Sequence, residues 1–522
     1  MKKLGIGIDF GTTNSLVAVW GDDVLRYLDD LGHPLKPEVY WHKDGKLGRR
    51  PLPSVVWLKP DESVVVGFEA RRSMQQLSGT LGHRFVRSVK RSLTSGQEWD
   101  HGGCRWKPYE IAAEVFAHLK KDGERQPTMH GHEFDSCIVT VPVGFNGKQR
   151  REIRKAMDRA GLHLQGFVHE PFAAMVAHFY HPEKKLSVLR GKRVLVFDWG
   201  GGTLDICLVE GSQDGSTLYE LAHNGIADRA GDDFDRRIMS SLRGRFLERH
   251  TSLTNDDIDA RCRAQDQFWI NTELAKIELS KNDSVQVRVP HFLDGNPPID
   301  LGETLRRPEF EELIEQEINA ASACTLKCLE QARLNPSCVD HVLLVGGTSL
   351  IPRVRRKLEE IFGAKVMVTP EPDAAIARGA AIVAAEDWKP VNATTIGCEM
   401  ARGEFFTFLE RGQPLVASAS KKSVFYCTDP RDGYANFVFA RKPVDGENAV
   451  VPTGDMLQVP VATERPTDLR ELDRLVVQST ITSDATLLIQ VTHTGMGNTE
   501  KLEISDISFG LNLTSHEEES CF

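Results

Sequence analysis

Short apolar runs that end in acids or glycines alternate along this chain with stretches whose apolar positions recur every three or four residues. The first run, residues 4–8, stops at Asp9. A turn, Gly11-Thr12-Thr13-Asn14-Ser15, follows, and residues 16–20 lead away, so the pattern predicts a β-hairpin. Residues 54–58 and 64–66 read as strands, and 68–76 as a helix. Apolar residues at 111, 112, 115, 116 and 119 predict a helix over 108–121, with Pro108 pre-organising its start. A strand at 136–143 is followed by a helix at 148–160 that Gly161 caps. Residues 166–180 are strand then helix, with Glu170-Pro171 at the junction; Glu170 is left at the strand's end, where α/β proteins place chemistry.

Residues 194–209 are again an apolar strand, an acid, a glycine-rich turn and an apolar strand. An acid-rich turn opens a helix at 230–237, a further helix covers 268–280, a buried strand at 340–347 ends in Gly346-Gly347, and helices follow at 352–362 and 370–385. Beyond residue 386 the pattern becomes a series of short β runs separated by Gly, Pro and Asp, which predicts a β-sandwich module.

Gly11 lets the backbone approach a ligand closely, and consecutive N–H groups in such a turn form an anion-binding nest. Asp9 beside the nest would repel bare phosphate. A divalent cation between the two resolves this, and oxygen ligands suit Mg²⁺. An ordinary polar hairpin with a satisfied aspartate would look the same in isolation. The repeat separates the readings. Asp9-Phe10-Gly11-Thr12 has a counterpart in Asp198-Trp199-Gly200-Gly201-Gly202-Thr203, which implies two similar lobes whose hairpins clamp a polyphosphate from both sides. The basic run at 83–91, which contains Lys90, reads by composition alone as a solvated face.

The 522 residues imply two to four domains, and a net charge of −10 argues against a phosphate-backbone binder. No apolar run is long enough for a bilayer, and the apolar segment after Lys2 and Lys3 stops too soon for a signal peptide; no membrane and no nucleic-acid partner is expected. The ten cysteines form no CxxC pair, which fits free thiols in a reducing, cytoplasmic setting. Cys324 and Cys328, one helical turn apart, read as buried thiols before they read as metal ligands.

These motifs resemble the DnaK-type heat shock protein 70 chaperones of the actin/hexokinase-like ATPase superfamily, in register over residues 4–385 and more loosely to about 512. The two Asp-Gly-Thr hairpins resemble that family's phosphate motifs. Val139-Thr140-Val141-Pro142 with Phe145-Asn146 and Gln149-Arg150 is similar to the segment holding its proline switch, and His169-Glu170-Pro171 to its Asn-Glu-Pro. Leu344-Val345-Gly346-Gly347, and Pro372-Asp373-Ala374-Ala375 with Arg378-Gly379-Ala380-Ala381, are similar to its adenosine segment and the helix after it.

The resemblance implies a two-lobed actin-like ATPase domain over 1–385, a short linker at 386–393, a β-sandwich peptide-binding domain at 394–513, and a disordered tail at 514–522. Asp9, Asp198 and Asp205 would organise Mg²⁺ through water, with K⁺ a further candidate ion. Lys90 would hold the γ-phosphate or the attacking water, which reverses the composition-only reading of its run, and Glu170 would orient metal-bound water. The implied catalytic set is Lys90, Glu170, Asp198, Thr203 and Asp205. Gly11, Thr12, Thr13, Asn14, Gly200, Gly201, Gly202, Gly231, Gly346 and Gly347 would join in holding ATP or ADP, with Glu273, Lys276, Ser280, Thr348 and Asp373 serving ribose and base.

Departures from the family pattern are informative. Two arginines that flank adenine are replaced by Ile277 and Leu350, which suggests an apolar base slot. Gly166 replaces a basic residue that contacts J-domain co-chaperones, and Gly144 replaces an aromatic one. Glu386-Asp387-Trp388-Lys389 stands where an apolar inter-domain linker is expected, and the helical lid is expected to be absent, so that bound peptide leaves faster. The function implied is a chaperone for protein folding with slow ATP hydrolysis, whose β-domain binds unfolded peptide or a dedicated client. Dependence on J-domain and nucleotide-exchange co-chaperones is left open. The alternative is a nucleotide-gated scaffold with little turnover. Small-molecule kinase chemistry and filament formation are disfavoured by the appended β-module.

Overall fold

In the computed structural model the opening apolar run forms strand Gly5–Phe10, paired antiparallel with Asn14–Trp20 so that Asp9 faces Leu16 in register. The structure describes residues 4–21, 38–39, 42–44, 48–77, 81–125, 132–227, 229–262, 264–442, 450–462 and 472–514. Residues 515–522, most of the tail expected to be disordered, lie outside these. The described residues fall into two compact units.

The first unit holds residues 1–144, 152–211 and 222–386. Its first sheet runs His163–His169, Ser136–Val141, Gly5–Phe10, Asn14–Trp20 and Glu38–Val39, with Leu52–Pro53 also on Asn14–Trp20. The hairpin is thus extended by two parallel strands on the side of Gly5–Phe10. The second sheet repeats the plan. Arg193–Trp199 pairs antiparallel with Thr203–Gly211 and parallel with His341–Val345, which pairs parallel with Val366–Val368. The sequence repeat at the two Asp-Gly turns is therefore a repeat of topology, the α/β two-lobed arrangement the pattern predicts.

Helix Pro372–Ala385 packs on strand Gly5–Phe10. A side chain at Gly5 or Gly7 would run into the backbone of Ala381, and one at Gly379 into that of Ala173. The small-residue helix and the Gly-x-Gly strand are two halves of one close contact, which is why neither carries bulk there. Helix Phe68–Leu77 meets helix Gln265–Leu279 through Ala70, Met74 and Ile270, joined by Val55, Trp57, Trp269 and Leu274 in one apolar cluster. The hairpin Ser284–Leu293 with Ile299–Arg306 is an element the pattern reading had not drawn, while helix Glu315–Gln331 is the helix expected around Cys324 and Cys328. Cys324 and Cys328 lie buried on that last helix.

The second unit holds residues 145–151, 212–221 and 387–522. Two four-stranded antiparallel sheets form its body. One runs Phe405–Leu409, Thr395–Glu399, Tyr434–Lys442 and Val451–Pro460; the other runs Lys421–Tyr426, Arg474–Ile481, Leu487–His493 and Thr499–Ile504. Period-two burial along Tyr434–Lys442 turns Phe437 and Phe439 inward. Phe406 and Phe408 of the first sheet meet Phe425 of the second at 4.8 and 6.2 Å between ring centroids, so the two faces close as a sandwich.

Lys389–Asn392, expected to be linker, is a strand paired with Phe509–Asn512, which also pairs with Thr217–Tyr219. Arg150, 1% exposed, satisfies the carbonyls of Asp484 at 2.7 Å, Phe145 at 2.5 Å and Ser505 at 3.0 Å. Among the described residues no helix is long and apolar enough to cross a membrane.

Candidate functional site

The two hairpin turns meet edge to edge in the first unit. A Cβ on Gly201 would strike the Thr13 hydroxyl, and one on Gly202 would lie 2.5 Å from that of Thr12. Gly346 closes the floor at φ +77°, where a side chain would fall 2.5 Å from the Trp199 carbonyl and 2.6 Å from the Asp198 carboxylate. Helix Gly231–Arg249 is hung on the second turn, with Gly231 N–H donating to the Gly200 carbonyl at 3.1 Å and Asp232 N–H to Gly201 at 2.9 Å.

Between the turns lies a cleft of about 130 Å³ lined by residues of both. Asp9, Gly11–Asn14, Lys90, Glu170, Asp198, Gly200–Thr203, Gly346, Gly347 and Asp373 of the expected set face it. Leu16, Pro51, Pro372 and Ile376 complete the wall; sequence reading did not assign them a role, although Pro372 opens the Pro372-Asp373-Ala374-Ala375 segment.

Lys90 is 5% exposed and its Nζ donates to Glu170 Oε1 at 2.6 Å. The solvated-face reading of its run is corrected here. Val89 and Lys90 turn inward on the short helix Val89–Ser92, while Arg84 and Arg87 of the preceding strand stay exposed. Thr203 donates to Asp205 Oδ2 at 2.7 Å, and Thr140 to Asp9 Oδ1 at 3.4 Å.

Asp9, Glu170, Asp198 and Asp205 crowd around one buried ammonium, and the imbalance is visible in the protonation of the three aspartates. Burial and the Glu170 charge raise Asp9 to about 7, against the pull of Lys90 and the Thr140 hydrogen bond. Burial, Glu170 and Asp205 drive Asp198 well up, and burial with Glu170 brings Asp205 to about 6. Burial alone would lower Lys90, but Glu170, Asp9 and Asp205 outweigh it and raise it. A cluster whose aspartates resist ionisation is short of positive charge, which a cation held among them would supply. Among the described residues no group of three or more His, Cys, Asp or Glu side chains could hold a metal ion directly. The donor set therefore fits a hydrated Mg²⁺ reached through water, an ion that dehydrates reluctantly.

Of the expected ribose and base residues Asp373 lines the cleft, while Glu273, Lys276, Ser280 and Thr348 lie outside its wall. Glu273 forms an ion pair with Arg71. Lys276 Nζ reaches the Asp235 carboxylate at 2.8 Å and the Gly231 carbonyl at 2.7 Å. Thr348 donates to the Gly200 carbonyl at 2.8 Å, and Ser280 caps helix Gln265–Leu279.

The family model described as Hsp70 protein matches residues 5–387. The chain belongs to the Hsp70 family. Among curated relatives, the chaperone protein DnaK of Mycoplasmopsis agalactiae is 30% identical over 86% of this chain and 71% of its own length. The DnaK of Thermosipho melanesiensis is 29% identical over 97% of this chain and 80% of the relative, and that of Psychrobacter cryohalolentis 29% over 96% and 77%. This Hsp70 chain is accordingly a molecular chaperone of that family, whose members bind ATP or ADP, generally with Mg²⁺.

A second cavity, about 700 Å³, lies in the β-sandwich unit. Its wall combines Met400 and Ala401 after strand Thr395–Glu399 with Phe425, Tyr426, Tyr434 and Phe437 around the connection from Tyr426 to Tyr434. Sequence reading placed a binding module here without naming a residue, because the wall is assembled from turns of both sheets.

Proposed function

We propose that this Hsp70 protein holds MgATP between its paired hairpins and hydrolyses it slowly, and that the β-sandwich cavity receives an extended peptide. The observation that carries the proposal is the buried Lys90–Glu170 pair at the junction of two facing phosphate turns. Backbone N–H groups of Gly11–Asn14 and Gly200–Thr203, with the hydroxyls of Thr12, Thr13 and Thr203, would hold phosphate oxygens. Asp9 and Asp198 would hold hydrated Mg²⁺ through its waters, and the ion when bound supplies charge neutralisation for the phosphates.

Lys90 places its ammonium where negative charge grows on the γ-phosphoryl oxygens, and Glu170 accepts a hydrogen bond from the attacking water and so orients it. Asp205, fixed by Thr203, stands behind the second turn. Catalysis is then positioning and charge stabilisation without a covalent intermediate. In the β unit, exposed Tyr426 and Tyr434 flank the cavity and offer apolar contact, while main-chain groups of the neighbouring turns pair with an extended segment.

A second reading, a nucleotide-gated scaffold with little turnover, is favoured by Ile277 and Leu350, exposed aliphatic residues where guanidinium planes would otherwise stack. Single-turnover ATP hydrolysis with and without an unfolded peptide distinguishes the two. Measurable hydrolysis that peptide accelerates supports the chaperone cycle, whereas binding without turnover supports the scaffold.

A further inference from the structure

We infer that the second unit carries a preformed slot for an extended chain segment, and that strand Phe509–Asn512 is its resident, exchangeable occupant. The strand runs antiparallel between two walls. On one side is Thr217–Tyr219, with Leu218 opposite Leu511 and Tyr219 opposite Gly510. On the other is Lys389–Asn392, with Pro390 opposite Leu511 and Val391 opposite Gly510. One strand thus satisfies the facing edges of both walls, and Leu513 N–H extends the pairing to the Ser216 carbonyl at 2.8 Å.

The walls are joined independently of that strand. Lys389–Asn392 is also tied to the turn at 410–415: Gly412 N–H donates to the Asn392 carbonyl at 2.7 Å, Asn392 N–H to that of Gln413 at 2.9 Å, and Leu415 N–H to that of Pro390 at 2.8 Å. Arg411, on the same turn, lies over the Tyr219 ring at 3.8 Å, a cation–π contact that bridges one wall to the other. The chain leading to the strand is anchored just before it. Arg150 donates to the Ser505 carbonyl at 3.0 Å and Arg441 pairs with Asp506 at 2.7 Å, so the exchanging part begins at residue 507.

The resident strand defines what the slot recognises. Phe509 and Leu511 are buried in it. A Cβ on Gly510 would lie 2.8 Å from the Leu218 carbonyl oxygen and 2.9 Å from the Val391 side chain, so only glycine passes at that register. The partner that fits is an extended segment of another protein that reads apolar, glycine, apolar and is held by main-chain hydrogen bonds along both edges. The tethered strand competes with it at an effective concentration in roughly the millimolar range. A partner's apparent affinity is therefore reduced by the fraction of chains whose slot is filled from within.

Fluorescence anisotropy of a labelled peptide with the sequence of residues 507–514, titrated with the whole chain, tests this. Gly510→Val expels the resident strand, and the variant is expected to bind the peptide at least about tenfold more tightly than the parent does. The peptide carrying Gly510→Val should bind neither chain. Equal affinity of variant and parent, or a variant that takes the two peptides equally well, overturns the inference. So does loss of the far-ultraviolet circular dichroism in the variant, which would make the strand part of the folding core. Amide hydrogen exchange of the parent gives a reading that needs no variant: residues 509–512 should exchange at least about tenfold faster than strand Arg474–Ile481. Uniform protection of the two strands overturns the inference as well.

Discussion

Lys90 and Glu170 form a buried ion pair at 2.6 Å, although 80 residues separate them in the chain. Each is the other's compensation, since a lone charge at this depth would be strongly disfavoured. Lys90→Met should therefore destabilise the first unit by about 3–5 kcal/mol by stranding the Glu170 carboxylate. Adding Glu170→Gln should recover much of that loss. Hydrolysis behaves differently: both variants, and Asp198→Ala, should lose on the order of a hundredfold or more in single-turnover rate. Recovery of stability without recovery of rate separates structure from chemistry. Undiminished turnover in Lys90→Met and in Asp198→Ala would sink the catalytic assignment.

The protonation of the acid cluster sets a pH dependence for the unliganded protein. Asp9 rises to about 7 and Asp205 to about 6 through burial and the Glu170 charge. The folded state thus binds protons more tightly than the unfolded chain, whose aspartates titrate near 4. The stability this contributes is fully present below the unfolded pKa and is lost as pH rises through the folded values, across about pH 4–7. Thermal melts of the ligand-free chain should show the melting temperature falling over this window. Mg²⁺ with ADP should reverse the loss, so its stabilising shift should be larger at pH 8 than at pH 5. A shift that shrinks as pH rises would contradict cation binding by these carboxylates.

Gly201 supplies a purely steric test of the clamp. Its missing Cβ is what lets the Thr13 hydroxyl lie against the second turn. Gly201→Ala should wedge the two turns apart and weaken nucleotide binding by roughly tenfold or more, because phosphate contacts misplaced by an ångström lose most of their value. Far-ultraviolet circular dichroism should stay near that of the parent. Equal nucleotide affinity in the two proteins would mean that the turns do not grip the ligand together.

The two-lobed fold and the meeting of the two Asp-Gly turns were legible in sequence because their signals are local. Asp9-Phe10-Gly11-Thr12 and Asp198-Trp199-Gly200-Gly201 each carry acid, turn and donors within a few residues, and the structure brings them together in one cleft. What was illegible depends on distant partners. By composition alone Lys90 read as part of a solvated basic face, and only the family resemblance reversed that, because its inward turn follows a single left-handed residue, Ser88 at φ 56°. Glu273 looked free to meet a ribose because Arg71, its partner, lies 202 residues earlier. Lys389–Asn392 looked like linker because the strand that completes it comes more than a hundred residues later, at Phe509–Asn512. The β-sandwich cavity left no motif at all, since turns of two sheets build its wall.

The engagement of Glu273 points to how nucleotide would leave. Arg71 and Arg87 lie over the Trp269 ring, at 5.7 and 4.4 Å from its centre, and Arg87 also approaches Asp266 at 3.9 Å. Together with the Arg71–Glu273 pair and the apolar cluster of Met74, Ile270 and Leu274, these contacts join helix Phe68–Leu77 to helix Gln265–Leu279 above Thr12 and Thr13. On the nucleotide reading proposed above, release of a ligand held beneath requires the two helices to part. Trp269→Ala removes both cation–π contacts, about 0.5–1 kcal/mol each, and part of the apolar contact. The parted state gains by the same amount, so release of a fluorescent ADP analogue in stopped flow should quicken by roughly tenfold. Lys90→Met leaves these helices untouched and should not share that acceleration. If Trp269→Ala releases the analogue at the parent rate, the contact between the helices does not gate the cleft, and the step that limits release lies at the phosphate turns themselves.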